Sequence, residues 1–111
     1  MKVEILFFEG CPNHTTAFEL VKRVLNREGI RGEVEMVEVP DIETAQARRF
    51  LGSPSVRVDG ADIEADRGDD SPFYGCRTYT VDGKTVGVPP ETWLVDALRK
   101  RNGSNPVIGT G

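Results

Sequence analysis

Val3-Glu4-Ile5-Leu6-Phe7-Phe8 is a near-continuous apolar run rich in β-forming residues. Such a run marks a strand covered on both faces, and so a parallel or mixed sheet under helices. From Thr15 to Glu28 the period changes. Phe18, Val21 and Leu25, with Ala17, Leu20 and Val24 beside them, recur at helical spacing. Gly29 stands where a left-handed C-terminal cap is wanted. Residues 33–39 mostly alternate and predict a second strand. Strand, helix and strand in this order predict a right-handed βαβ unit with the two strands parallel. Pro40 ends the strand, and Asp41 is placed to cap a helix predicted over 42–51, with Gly52 as its stop.

A third strand is predicted over the alternating residues 55–59. Pro54 precedes it, at the position where a sheet tolerates proline, and Asp59-Gly60 is a turn signal. Residues 61–75 break the pattern with five acids (Asp62, Glu64, Asp66, Asp69, Asp70) against Arg67. They predict an exposed, mobile acidic insertion, and their spacing matches no EF-hand calcium loop. Residues 76–81 alternate, Asp82-Gly83 turns, and 84–88 is extended. Pro89 and Pro90 open a last helix with Trp93, Leu94, Ala97 and Leu98 on one face. The Gly- and Asn-rich residues 102–111 predict a disordered tail. The expected organisation is one α/β domain, residues 1–101, with a central mixed four-stranded sheet (β-α-β-α-β-β-α) flanked by helices and an insertion near 61–80.

Two layouts of the second half remain open. If 77–81 is the strand that returns beside the third one, Cys76 lies at the far end of the sheet, at least about 15 Å from Cys11. That is beyond the roughly 7 Å Cα limit for a disulfide. If 84–88 is the returning strand, 61–80 is an excursion free to fold over Cys11. Cys76 then becomes a resolving thiol, Phe73, Tyr74 and Tyr79 wall a pocket, and Arg77 lowers a nearby thiol pKa. Strand patterning favours the first layout.

Composition narrows the partners. The chain has 111 residues, 38% hydrophobic and 29% charged, enough for one ordinary globular core. A net charge of −4 argues against nucleic acid and against anionic membranes as partners. No apolar run approaches the roughly 18 residues of a membrane span. Met1-Lys2-Val3-Glu4 reads as the start of a strand and not as a signal peptide, so the expected location is cytoplasmic. Cys11 and Cys76 are too few for a disulfide scaffold. In a reducing compartment such a pair is more often catalytic, redox-sensing or metal-binding.

Cys11 carries the candidate chemistry. It follows the first strand at a sharp turn and precedes a helix, whose N-terminal N–H groups and dipole favour thiolate over thiol. Pro12 is compatible with a first helical position. The plain alternative is a small buried hydrophobe.

This order of elements resembles the thioredoxin-like superfamily, with a cysteine at the first strand-to-helix turn and Gly52-Ser53-Pro54-Ser55 opening the third strand. Phe8-Glu9-Gly10-Cys11-Pro12-Asn13 and the later Cys76-Arg77-Thr78-Tyr79 resemble small bacterial thioredoxin-like proteins, some described as alkylmercury lyases by similarity. The resemblance implies that Cys11 is the attacking cysteine and that a cis-proline loop at Ser53-Pro54 faces it, with the Ser53 backbone available to a bound peptide or thiol. Gly87 resembles the glycine that closes the same surface. The second motif cysteine is missing, because His14 stands in its place. Release of a mixed disulfide from within the motif is therefore closed to this chain.

His14, one helical turn after Cys11, is a candidate thiolate stabiliser or general base. Three functions follow as expectations. The first is a thiol–disulfide oxidoreductase using Cys11, His14 and Cys76, with Pro12, Ser53, Pro54, Arg77 and Tyr79 lining the site. It needs no cofactor or metal, and its partner is a low-molecular-weight thiol or a protein disulfide. The second is a mercury or organomercurial handler in which Cys11 and Cys76 hold the soft metal. The third is a non-catalytic binding module.

Overall fold

The computed structural model describes residues 1–64, 67 and 70–101. The predicted tail, 102–111, and Asp66 and Asp69 of the predicted insertion lie outside the described residues.

Three strands and two helices follow the pattern closely. Strand β1 is Lys2–Phe7, helix α1 His14–Glu28, strand β2 Glu33–Glu38, helix α2 Ile42–Ala47 and strand β3 Ser55–Val58. β1 pairs parallel with β2, from Lys2 opposite Glu33 to Phe7 opposite Glu38. β1 pairs antiparallel with β3, from Val3 opposite Val58 to Leu6 opposite Ser55. Strand alternation sends successive side chains to opposite faces. Val3, Ile5, Val56 and Val58 pack under α1 with Ala17, Leu20, Val21, Val24 and Leu25. Leu6 faces the other side with Val37, Val39, Ala45 of α2 and Phe50.

Both helix ends obey capping chemistry. Asp41 accepts from the Thr44 N–H at 2.7 Å, and hydrogen bonding with Thr44, side chain first and backbone second, lowers its carboxyl pKa. Gly29 adopts φ 67°, and the next N–H, of Ile30, reaches back to the Leu25 carbonyl at 3.0 Å. Helix α2 ends four residues earlier than the expected 42–51. Arg49 takes φ 55°, Arg49 N–H returns to Gln46 and Phe50 N–H to Ala45, which is a Schellman closure with arginine at the left-handed position. The closure puts Phe50 into the core with none of its surface exposed, and that burial decides where the helix stops.

The strand that returns beside β3 is neither of the two expected segments. It is β4, Ala61–Asp62, paired antiparallel with β3 directly across the Asp59-Gly60 turn. Both turn residues have positive φ, as a two-residue hairpin requires. The four-stranded sheet runs β2-β1-β3-β4. Tyr79–Val81 (β5) and Lys84–Val86 (β6) form a separate antiparallel hairpin across Asp82-Gly83. Helix α3, Glu91–Arg101, then packs Leu94 and Leu98 into the same core as α1. Among the described residues no helix is long and apolar enough to cross a membrane.

Candidate functional site

Ahead of β5, residues 73–77 lie against the 50–53 segment as a strap. The Phe73 N–H donates to the Phe50 carbonyl at 2.7 Å, and the Tyr74 ring packs on Phe8 and Phe50. Cys76 forms an isolated parallel bridge with Ser53: Ser53 N–H donates to the Gly75 carbonyl and Arg77 N–H to the Ser53 carbonyl, each at 2.8 Å. Gly52 makes the approach close enough. Its φ is +103°, and a β-carbon there would lie 2.9 Å from the Arg77 Cβ and 3.1 Å from the Gly75 oxygen.

The bridge brings the two cysteines together. Cys11 is fully buried and donates its S–H to the Ser53 carbonyl at 3.3 Å. Cys76 bridges the same Ser53 and is exposed, both cysteines being free thiols. Hydrogen-bonding interaction with the Cys11 thiol first, then slight burial, then the charge Cys11 would carry as thiolate, push the Cys76 pKa up. Replacing Cys11 by alanine removes the first and third causes. Iodoacetamide alkylation of Cys76 in Cys11→Ala should therefore reach half its plateau rate at a lower pH than in the parent chain. An unmoved midpoint would show that the thiols do not interact.

Several expected roles change. Helix α1 begins at His14 with Asn13 as its N-cap. Cys11 therefore stands ahead of the helix, and Pro12 is exposed outside it, not at its first position. His14 does not address the sulfur. A carbonyl only accepts, so His14 donates from Nδ1 to the Cys11 oxygen, 2.6 Å away, while its ring stacks on Phe7 at 4.5 Å. It positions the turn. Gly87 stands against this turn, where an added β-carbon would run into the Asn13 side-chain amide. The Ser53–Pro54 peptide is cis, and the Ser53 hydroxyl accepts from the Phe8 N–H at 3.3 Å.

Arg77 does not bring positive charge to a thiol, as the second layout expected. Its side chain is buried and turns away to Asp62, at 2.7 and 3.0 Å, Glu64 at 2.8 Å and the Ser55 hydroxyl at 2.9 Å. Burial disfavours its charge, but Asp62 and Glu64 outweigh burial and raise its pKa. Two acids of the expected solvated loop are thus structural anchors. Tyr79 does not wall a pocket. It is buried beneath the Arg77 guanidinium, 4.5 Å from its ring centre, and donates to the Pro54 carbonyl at 2.5 Å. Burial raises its phenol pKa. Tyr79→Phe leaves that carbonyl buried without its donor and should lower the unfolding free energy by about 1–2 kcal/mol, read from urea titration.

The residues brought together are therefore Cys11, Cys76, Ser53 and Pro54, with Arg77 and Tyr79 holding the strap from behind. The roles of Asp62 and Glu64 are the ones that sequence reasoning missed. The Asp59-Gly60 turn was their signal, because it folds the next two residues back along β3. Among the described residues no group of three or more His, Cys, Asp or Glu side chains is placed to hold a metal ion. Comparison with known protein families, with curated proteins and with solved structures found no match.

Proposed function

We propose that this chain is a thioredoxin-like thiol–disulfide oxidoreductase whose redox centre is Cys11 with Cys76, the latter replacing the cysteine missing at position 14. One observation carries the reading: Cys11 bonds the Ser53 carbonyl and Cys76 bridges the same residue, so two free thiols far apart in the chain converge on the Ser53-Pro54 loop. The sheet order β2-β1-β3-β4, with α1 and α3 on one face and α2 on the other, supports the fold assignment.

The chemistry is a two-electron exchange. The paired thiols lose two hydrogens and join as a disulfide, while an external disulfide gains them and leaves as two thiols. No cofactor is needed, since electrons enter and leave as thiols. Bringing the sulfurs together in advance makes the ring-closing step effectively unimolecular.

Intact mass after treatment with bis-glutathione tests the reading. The parent chain should lose two hydrogens and carry no glutathione, whereas Cys11→Ser and Cys76→Ser should each be unable to make that loss. A parent chain that stays reduced, or that accumulates glutathione on both cysteines, would overturn it. The organomercurial reading fits less well. It needs an acid to protonate the departing carbon, yet Asp62 and Glu64 are committed to Arg77, and Asp70 to Arg67.

A further inference from the structure

We propose that Cys76, not Cys11, is the sulfur that meets the substrate, and that the substrate is a low-molecular-weight disulfide rather than a disulfide within a protein. This rests on the oxidoreductase reading and assigns the order of events within it.

Access decides the first part. Exchange needs the attacking sulfur to approach a disulfide in line with the bond that breaks. Cys11 has 0% exposure and its S–H is committed to the Ser53 carbonyl, whereas Cys76 faces solvent. The raised Cys76 pKa slows its attack near neutral pH but leaves the order unchanged, because a covered sulfur has no approach at all.

The backbone decides the second part. A protein substrate gains affinity by laying an extended strand along a free main-chain edge. The edge beside these thiols is Ser53, and its N–H and C=O already hold Gly75 and Arg77. The chain occupies the position with its own cysteine-bearing peptide. That peptide is held by Arg77, buried against Asp62 and Glu64, and by Tyr74 on Phe8 and Phe50. A small disulfide needs no such edge.

The steps balance as follows. The Cys76 thiolate attacks RSSR, forming Cys76–S–S–R and releasing RS⁻. The Cys11 sulfur, giving up its proton, attacks the Cys76 sulfur. The Cys11–Cys76 disulfide forms, a second RS⁻ departs, and both thiolates are protonated. In reverse, an external thiol attacks the exposed Cys76 sulfur and Cys11 is the leaving group.

Peptide mapping of the folded, reduced parent chain after substoichiometric iodoacetamide tests the order. Label should fall on Cys76 over Cys11 by at least about tenfold, and the preference should vanish in urea. With bis-glutathione, Cys11→Ser should take one glutathione on Cys76. Label on Cys11 equal to or above that on Cys76 in the folded chain would overturn the order. Substrate class is read from rates of disulfide formation in the parent chain. Bis-glutathione should exceed insulin, per disulfide, by at least about tenfold, and equal or reversed rates would overturn that part. Failure of the parent chain to form the internal disulfide with any oxidised thiol would instead sink the oxidoreductase reading itself.

Discussion

Arg77→Ala is expected to lower the unfolding free energy by about 3 kcal/mol and to free the strap from the Ser53 loop. Removing one member of a buried ion pair typically costs about 3–5 kcal/mol, because the partner is left charged and poorly solvated. Here Asp62 and Glu64 keep 12% and 25% of their side-chain surface in solvent, which places the loss at the low end. The arginine contributes more than charge. One nitrogen bonds Asp62 and the Ser55 hydroxyl, the other Asp62 and Glu64, while the guanidinium covers Tyr79. Among the described residues its Nε is the one buried side-chain polar atom without a partner. Lysine keeps the charge and carries no Nε, but it cannot reproduce the fork. Arg77→Lys should therefore fall between the parent and the alanine variant. Urea titration followed by Trp93 fluorescence gives all three values. A loss below about 1 kcal/mol for alanine would make Arg77 an ordinary surface ion pair.

The second large effect is expected at Gly52. A β-carbon there meets both a left-handed backbone and the strap it lies against, at 2.9 Å from Arg77 Cβ and 3.1 Å from the Gly75 oxygen. Backbone strain of this kind costs about 1–3 kcal/mol where the surroundings enforce it. The strap has another way out, which is to lift from Ser53. Gly52→Ala should thus destabilise the chain by about 2 kcal/mol and weaken Cys11–Cys76 disulfide formation against glutathione by at least about tenfold, since the sulfurs lose their imposed proximity. An alanine variant that keeps the parent's disulfide equilibrium would show that the Gly52 contact does not set the position of Cys76.

Both changes act on stability and on placement. Arg77 sits behind the strap and Gly52 beneath it, yet both act on the position of one exposed sulfur. The fold itself does not require the two cysteines to meet. Residues 73–77 lie against the 50–53 segment, and their anchors decide where Cys76 stops.

Local elements were readable in the sequence because each carries a repeated signal. The apolar run of β1, the helical period of α1, the Gly29 and Asp41 caps and the two Asp-Gly turns all rest on contacts within a few residues. The remainder rests on single long-range pairs. Strand β4 is two residues long, too short for alternation, and one of those residues is an acid that reads as solvent-facing. Its acid pairs with an arginine 15 positions away, so neither charge reveals the other. The strap meets Ser53 through one bridge and shows no period at all. Helix α2 stopped early for a similar reason: Phe50 was needed in the core, and Arg49 accepted a left-handed conformation to deliver it. Cys11 was legible as a candidate from its place after β1. Its partner depended on the path of the strap.

The central claim is that folding brings Cys11 and Cys76 together as a redox pair. The most direct measurement is the disulfide equilibrium of the parent chain in glutathione buffers of varied ratio, folded and again in urea, with the products quenched and weighed. If the fold supplies the proximity, the folded chain forms the internal disulfide at a potential at least about 30 mV more reducing than the unfolded chain, a tenfold difference in equilibrium constant. Equal midpoints in the two states, or separate glutathione adducts on both cysteines of the folded chain, would contradict it.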